Sequence, residues 1–358
     1  MPRLPVGAQL LLVFVVAAAG ALALVPLSAR VGAAVGLIDL PRPGEVQRRP
    51  VGRAGGYGIV AAFFLALAVS IPIADRFWWE FGWLAGLTLG AALLVPFAAW
   101  DDARRLGPLP QLVAQFACAA VPIAFGIRMT QISNPFGATL DLKSWLVVPA
   151  TLLWIVGMIN TLNWIDTMDG LAGGVALIGA LVLCGKSLLQ EGPNGEPQPQ
   201  YTIAMLLLAL AGACVGFLVY NFPPARIFMG TGGSMFLGYA LGVLSIIGGA
   251  KIATAALVLG VPILDTALVI LQRLAGRRSP FRGGDGRHLV HRLLAAGLSV
   301  RQIAVLLYVL TALFGSLALR LLKTDKFYAF AIMVLAVGLL FLFLKLRHAL
   351  VAPAGAKE

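Results

Sequence analysis

Long apolar runs recur along almost the whole chain and are separated by short polar segments. A helix needs roughly 20 apolar residues to cross the hydrocarbon core of a bilayer. Eleven runs approach that length, at 8–29, 54–74, 79–100, 109–127, 145–162, 168–188, 201–221, 234–249, 252–272, 300–320 and 327–345. The pattern predicts an all-α polytopic membrane protein with about eleven transmembrane helices. We expect one transmembrane domain over residues 1–350 and a cytoplasmic tail at 351–358.

Composition agrees with a membrane protein and excludes other classes. Hydrophobic residues make up 60% of the 358 residues, charged residues 12%, and mean hydropathy is +0.92. A soluble protein is typically about 25% charged. The three cysteines all lie inside apolar runs, so no disulfide framework is expected. The net charge of +12 is attributed to cytoplasmic loops and anionic lipid, so the lipid bilayer is an expected partner and nucleic acid is not.

Basic residues are distributed unequally between the two predicted sides. Eleven spans place the loops 30–53, 101–108, 163–167, 222–233 and 273–299 and the C-terminal tail on one side, and this side with the adjoining span ends carries 18 of the 27 lysines and arginines. Cytoplasmic loops are enriched in lysine and arginine. This side is therefore predicted to be cytoplasmic. On the other side, the alternation and the Asn-Pro-Phe-Gly turn in 128–144 predict a small hairpin.

Two adjacent carboxylates, Asp101 and Asp102, close the third apolar run. Adjacent carboxylates repel each other unless a cation lies near them, so the pair favours a metal or a metal–phosphate complex. The alternative is a solvated helix end that Arg104 and Arg105 neutralise.

Four polar residues follow one another at intervals of three between the fifth and sixth runs. They are Asn160, Asn163, Asp166 and Asp169. This spacing keeps them near one face of a helix or tight helical turn. Asp169 could serve only as a cap of the next helix, but capping does not explain four residues in register. The segment is the strongest candidate for a binding site.

Two further cytoplasmic segments carry candidate anion-binding groups. One contains Asn221, Phe228 and a Gly-Thr-Gly-Gly-Ser turn at 230–234, which suits phosphate binding at a helix N-terminus or is an ordinary capped loop. The other contains four cationic or imidazole side chains, Arg282, His288, His291 and Arg292. This set favours a diphosphate site, whereas a lipid-headgroup patch accounts for the arginines but not for the histidines.

In this order, the segments resemble the polyprenyl-phosphate N-acetylhexosamine-1-phosphate transferases of glycosyltransferase family 4. Asp101-Asp102, with Leu106 and Gln115 following, is similar to the family's Asp-Asp motif. Three longer segments are each similar to a motif of the family. Residues 160–172 are similar to Asn-x-x-Asn-x-x-Asp-Gly-x-Asp-Gly-Leu-Ala, residues 221–234 to a loop with Phe-Met-Gly-Asp-x-Gly-Ser, and residues 288–293 to His-x-His-His-x-Leu. The resemblance spans residues 30 to about 300.

The resemblance implies transfer of N-acetylhexosamine 1-phosphate, expected to be N-acetylglucosamine 1-phosphate, from a UDP-sugar donor to a polyprenyl phosphate acceptor such as undecaprenyl phosphate. UMP would be released, and the product would start a lipid-linked cell-envelope glycan. It further implies Mg²⁺ as cofactor, with Mn²⁺ as an alternative. We expect a bacterial cytoplasmic (inner) membrane protein whose site faces the cytoplasm, and a homodimer is consistent with the resemblance.

The same resemblance implies roles for individual residues. The catalytic residues would be Asp101, Asp102, Asp166 and Asp169, with Asp102 acting on the lipid phosphate. The metal would be held by Asp102, Asp166 and Thr231. The substrates would be bound by Asn160, Asn163, Asn221, Phe228, Arg282, His288, His291 and Arg292.

Several positions depart from the family pattern. Thr231 replaces the magnesium-binding aspartate, Val290 the middle histidine, Thr167 a glycine, and Glu45 and Gln47 a lysine and a histidine. These departures motivate one alternative, a catalytically degenerate homologue that acts as a scaffold. A polytopic transporter is the other, with Asp265 as the residue nearest to a midplane site.

Overall fold

The structure, a computed structural model, describes residues 4–39, 50–70, 72, 81–104, 106–132, 134, 137, 139–192, 194–247, 252–277, 288–321 and 323–351. Glu45, Gln47, Arg282 and the predicted tail beyond residue 351 lie outside these ranges.

Helices dominate the described chain. In chain order they are α1 (Val6–Ala34), α2 (Gly55–Ser70), α3 (Phe81–Arg104), α4 (Pro108–Ala124), α5 (Ser144–Ile165), α6 (Leu171–Leu188), α7 (Tyr201–Asn221), α8 (Thr231–Ile246), α9 (Ile252–Val258), α10 (Gly260–Ala275), α11 (Leu289–Ala295), α12 (Val300–Arg320) and α13 (Lys323–Val351). Four two-residue strands accompany them: β1 (Ile38–Asp39), β2 (Val51–Gly52), β3 (Gln131–Ile132) and β4 (Leu140–Asp141). The predicted all-α class is confirmed.

Each predicted span coincides with one helix or, for 252–272, with the pair α9–α10. Within the described residues, seven helices are long and apolar enough to cross a membrane, and α9 and α10 would add one more crossing, with a bend of 79° between them. The remaining three, α2, α4 and α8, have 16 or 17 residues, which is shorter than the roughly 20 that an untilted crossing requires. The chain is therefore a polytopic membrane protein, and eleven crossings stay a prediction.

Two small antiparallel ribbons lie outside the helices. β3 pairs with β4, which confirms the hairpin predicted in 128–144. β1 pairs with β2, and Gly52 of β2 forms a parallel bridge with Ile227 in the α7–α8 loop. The first ribbon therefore joins the α1–α2 connection to a loop that is about 170 residues away in sequence.

The centre of the bundle consists of α7 and α8, in which most residues are buried. α7 packs against α1 and α6, and α8 packs against α3 and α5. Glycine permits close approach at these contacts: a Cβ at Gly238 of α8 would collide with the carbonyl oxygen of Met158 on α5. Small residues commonly allow close helix packing in membranes, where van der Waals contact replaces the hydrophobic effect as the driving force.

We expect Gly238→Ala to destabilise the fold by about 1–3 kcal/mol, because the added methyl group must displace the backbone of α5. The measurement is the midpoint of thermal unfolding in detergent. Gly157→Ala, on α5 itself, is the matched control, because a Cβ there meets no atom within 4 Å. The control should be neutral or slightly stabilising, since alanine favours helix by about 1 kcal/mol over glycine. Equal midpoints for the two variants would contradict the packing argument.

Candidate active site

The α7–α8 loop lies against the start of α2. Backbone bonds join them: Phe228 N–H donates to Gly52 O (2.9 Å), Gly55 N–H to Phe228 O (3.0 Å) and Gly56 N–H to Met229 O (2.8 Å). Gly56 also lies so close to the backbone of Gly233 that no side chain could be accommodated. The end of the predicted cytoplasmic loop 30–53 and the glycine-rich turn are therefore one structural unit.

Asp102, at the end of α3, bonds to residues at or beside the start of α2 and to the start of α8. Among the described residues its carboxylate accepts four hydrogen bonds, from Arg53 Nη2 (2.8 Å), Tyr57 Oη (2.7 Å), Thr231 N (3.1 Å) and Gly232 N (3.3 Å). Its side chain has no exposed surface. Asp102 thus lies at the N-terminus of α8, where backbone amides and the helix dipole favour a negative charge.

Asp101 points into a different environment from its neighbour. Its oxygens accept hydrogen bonds from Leu106 N (3.0 Å) and Gln111 Nε2 (2.9 Å), so it closes the turn between α3 and α4. Both carboxylates are buried, and each is stabilised by its own donors. The structure therefore does not agree with a solvated helix end, and a cation near the pair stays a prediction.

The polar register on α5 connects this helix to two neighbours. Asn160 Nδ2 donates to Gln115 Oε1 on α4 (2.6 Å), and one turn further Asn163 Oδ1 accepts from Ser234 Oγ on α8 (2.9 Å). Asn160 and Asn163 therefore lie on one face of α5, as predicted, and this face contacts α4 and α8. Substrate binding by Asn160 stays a prediction that its protein contacts do not support.

Asp169 and Asn221 connect the turn between α5 and α6 with the α7–α8 loop. Asp169 Oδ2 accepts from Ala225 N in the α7–α8 loop (2.8 Å). Asn221 bonds in both directions: its Oδ1 accepts from Gly170 N (2.9 Å) and its Nδ2 donates to Ile227 O (2.9 Å). Gly170, with φ of 76°, adopts the left-handed conformation that begins α6 and that glycine favours. Asn221 therefore supports the loops that form the site.

Asp166 differs from the other carboxylates. It is half-buried, and it makes no hydrogen bond or salt bridge to any residue that the structure describes. Loss of hydration on burial, together with the negative charges of Asp102 and Asp169, raises the pKa of Asp166 to about 7. Such a carboxylate is a favourable place for an added positive charge.

Thr231 is the first residue of α8, and its backbone is bonded to Asp102. Within the described chain no cluster of three or more His, Cys, Asp or Glu side chains is arranged to hold a metal by itself. Asp102 has no free lone-pair direction for a metal, because its donors occupy both oxygens. Of the three residues predicted to hold the metal, Asp102 has both side-chain oxygens bonded. Asp166 and Thr231 have side-chain oxygens with no partner among the described residues.

The histidine-containing segment lies beside the same end of α5. His288 Nδ1 is 2.8 Å from Asp265 Oδ2, and the His288 ring packs edge-on against Trp164. Arg292 Nη2 donates to Gln272 Oε1 on α10 (3.0 Å) and its guanidinium lies over Phe341. His291 is half-buried on α11, and Phe228 is half-buried in the α7–α8 loop.

Arg53 and Tyr57 were missed by sequence reasoning, although both contact Asp102. A signal was present, because these residues flank the Gly55-Gly56 pair at the start of an apolar run on the basic side. Asp265 was assigned to the transporter alternative, yet it lies with His288. Its partner is 23 residues away, and the sequence alone gave no reason to pair them.

Comparisons with known proteins agree with this architecture. The family model of glycosyl transferase family 4 matches residues 84–249. A Bacillus subtilis protein named probable undecaprenyl-phosphate N-acetylglucosaminyl 1-phosphate transferase is 32% identical over 317 residues, which cover 86% of this chain and 83% of the relative. The decaprenyl-phosphate N-acetylglucosaminephosphotransferase of Mycolicibacterium smegmatis is 33% identical over 76% of this chain and 72% of its own.

A third relative is the phospho-N-acetylmuramoyl-pentapeptide-transferase of a Synechococcus species, 34% identical over 66% of this chain and 70% of its own. The matched family segment contains the Asp-Asp pair, the polar register on α5 and the glycine-rich turn. The long matches to these relatives also extend well beyond that segment. The chain is therefore a membrane-embedded transferase that belongs to glycosyl transferase family 4.

Proposed function

We propose that this enzyme transfers N-acetylglucosamine 1-phosphate from UDP-N-acetylglucosamine to a polyprenyl phosphate and releases UMP. The observation that carries the proposal is the convergence of distant segments around Asp166, a half-buried carboxylate without a partner in the described chain. The relatives support the choice of substrates, because one is named for undecaprenyl phosphate, another for decaprenyl phosphate, and both for N-acetylglucosamine.

The proposed reaction takes place at the cytoplasmic face of the bacterial cytoplasmic membrane. In support, the end of α3, the end of α5 and the start of α8 all adjoin loops of the arginine-rich side. With eleven crossings, the N-terminus and the β3–β4 hairpin would lie on the opposite side. The lipid product would begin a cell-envelope glycan, and a homodimer is the proposed assembly.

Mg²⁺ is the proposed cofactor, with Mn²⁺ as the alternative. Mg²⁺ is commonly bound by one or two carboxylates together with substrate phosphates. Asp166 and the second oxygen of Asp169 fit that role, and the Thr231 hydroxyl would add a neutral ligand. Asp102 does not fit it, because donors already occupy its oxygens. Bound there, the ion would neutralise negative charge on the donor diphosphate.

The chain's own residues would act mainly by positioning the two substrates and neutralising their charge, as is usual in phosphoryl transfer. An oxygen of the lipid phosphate attacks the β-phosphorus, and UMP leaves with the bridging oxygen. Asp102 would hold Arg53 and the N-terminus of α8 in place rather than activate the lipid phosphate. Phe228 offers a ring face to uracil, Arg292 offers donors to the diphosphate, and His288 would contact the diphosphate or the sugar.

The alternative of a degenerate homologue that acts as a scaffold was motivated by Thr231 in place of the family aspartate, and the named transferase relatives do not favour it. The transporter alternative loses its motivation. Its one candidate residue, Asp265, is bonded to His288 and to Leu289 N beside the proposed transferase site.

Asp166→Asn should lower transfer of radiolabelled N-acetylglucosamine 1-phosphate to undecaprenyl phosphate by about 100-fold or more, because it removes the charge that would stabilise the metal–diphosphate complex. The thermal midpoint should not fall, since no described protein contact is lost. Asp141→Asn, in the exposed β3–β4 hairpin, is the matched control and should retain activity. Full activity in Asp166→Asn would remove this residue from the site.

Binding of Mg²⁺ should weaken as the pH falls below about 7. The folded pKa of Asp166 is raised to about 7, so acid protonates the carboxylate that the metal requires. We expect apparent affinity to fall about tenfold per pH unit on the acidic side and to level off at alkaline pH. Metal-induced thermal shifts, titrated from pH 5 to pH 9, measure this. The pH dependence should vanish in Asp166→Asn; if it persists there, another group is responsible.

Substitution at Thr231 separates an active enzyme from a degenerate scaffold. We expect the wild type to be active and Thr231→Asp to need less Mg²⁺, because a further carboxylate increases the negative charge of the site. Thr231→Val is the isosteric control and should need more Mg²⁺. Half-saturating Mg²⁺ in the transfer assay is the readout. Activity that arises only in Thr231→Asp would establish the scaffold alternative.

A further inference from the structure

A buried carboxylate on α10 contacts the start of α11. Asp265 is 3% exposed, and its two oxygens have different partners: Oδ2 lies 2.8 Å from His288 Nδ1, and Oδ1 accepts from Leu289 N at 2.7 Å. A buried charge is costly unless it is paired and hydrogen-bonded. Both partners come from the two residues at which α11 begins, so Asp265 fixes this segment relative to α10.

The contact with Asp265 restricts the proton on the imidazole ring. An ionised carboxylate can only accept hydrogen bonds, so the ring must carry a proton on Nδ1 to bond to it. In the neutral ring, Nε2 is then an acceptor. In the part of the chain that the structure describes, Nε2 of His288 has no hydrogen-bond partner. The ring therefore has one nitrogen available to a substrate, and Asp265 determines which one it is.

The His288 ring also lies beside the polar segment 160–169 at the end of α5, which is the strongest candidate from the sequence. Its centroid is 6.1 Å from that of Trp164, and the ring planes are inclined at 68°. The guanidinium of Arg273 lies over the same Trp164, 5.5 Å from the ring centroid. Trp164 follows Asn163 directly and precedes Asp166 by two residues. The orientation of His288 is consequently coupled to the end of α5, where the site is formed.

Little solvent reaches the pair. Asp265 is 3% exposed and His288 9%. A small pocket beside the carboxylate, lined by Ile165, Asp265, Leu289 and Val290 among others, has room for about one water molecule. Water therefore competes little for the hydrogen bond between the carboxylate and the ring.

We propose that Asp265 is a positioning residue for the transfer reaction. It holds His288 in the Nδ1–H tautomer and orients the Nε2 lone pair towards a hydrogen-bond donor of the substrates, a hydroxyl or a protonated phosphate oxygen. The expected effect of Asp265 on activity rests on the proposed function. Its effect on the imidazole can be measured without any reaction. The experiments must distinguish this positioning role from a purely structural one, in which Asp265 only anchors Leu289 N.

The tautomer can be observed directly in the wild-type protein. The chain has three histidines, so ¹⁵N-histidine labelling in liposomes gives three ring systems for solid-state NMR. Signals are assigned with His291→Gln and His348→Gln. We expect an Nδ1–H tautomer for His288 in the wild type. An Nε2–H tautomer in the wild type would overturn the proposal, whether or not any variant folds.

Asp265→Asn tests the same point by substitution. The amide can still accept from Leu289 N through its oxygen, so the anchoring contact is retained. Its nitrogen then donates to His288 Nδ1, and we expect the ring to switch to the Nε2–H tautomer, as happens when the aspartate of a serine-protease triad is replaced by asparagine. Retention of the Nδ1–H tautomer in a folded Asp265→Asn protein would show that Asp265 does not control it.

A double-mutant cycle connects the pair to turnover. Asp265→Asn and His288→Gln should each lower kcat by about 10- to 100-fold, the usual range for a residue that supports a functional histidine. If Asp265 acts through His288, adding Asp265→Asn to His288→Gln should change kcat by less than about threefold. Multiplying effects with unchanged thermal midpoints would refute the inference.

The cycle and the NMR experiment separate two kinds of failure. If the wild type transfers N-acetylglucosamine 1-phosphate but the cycle is multiplicative, the positioning role is wrong and the proposed function stands. If the tautomer switches as expected but no UDP-sugar is used by the wild type, the proposed function fails, and Asp265 still controls the ring of His288.

Discussion

The bonding of the Asp102 carboxylate is the interaction on which the rest of the site depends. A buried carboxylate needs donors, and these come from Arg53 and Tyr57 beside the Gly55-Gly56 pair and from the first amides of α8. Removing one partner of such a network typically leaves a buried charge uncompensated, which costs about 3–5 kcal/mol. The start of α2, the end of α3 and the start of α8 are therefore held in one arrangement.

Once Asp102 is satisfied, Asp166 is the carboxylate of the site that is most open to an added positive charge. Asp101 bonds to the α3–α4 turn and Asp169 bonds to the α7–α8 loop, whereas Asp166 has no bonding partner in the described residues. Asp101 and Asp169 therefore hold loops through contacts within the chain, whereas Asp166 is left for its proposed part in binding the cation. The asparagines show no such division, because Asn160, Asn163 and Asn221 all bond to protein groups.

The second part of the site follows the same physical rule in a less polar environment. Asp265, buried on α10, bonds to the ring of His288 and to the start of α11. α11 has only seven residues, which is too short for a helix that is stable by itself. Its position therefore depends on contacts such as these and on Arg292 with Gln272 and Phe341.

The sequence by itself determined the membrane class, the approximate positions of the helices, the hairpin in 128–144 and the four candidate segments. It could do so because apolar length, turn residues and residue spacing are local properties of the chain. Only the tertiary structure decided that Arg53 and Tyr57 bond to Asp102, that Asp265 pairs with His288, and which carboxylate keeps its oxygens unbonded in the described chain. Those outcomes depend on packing between helices far apart in sequence, where desolvation and competition for donors assign each polar group its partner.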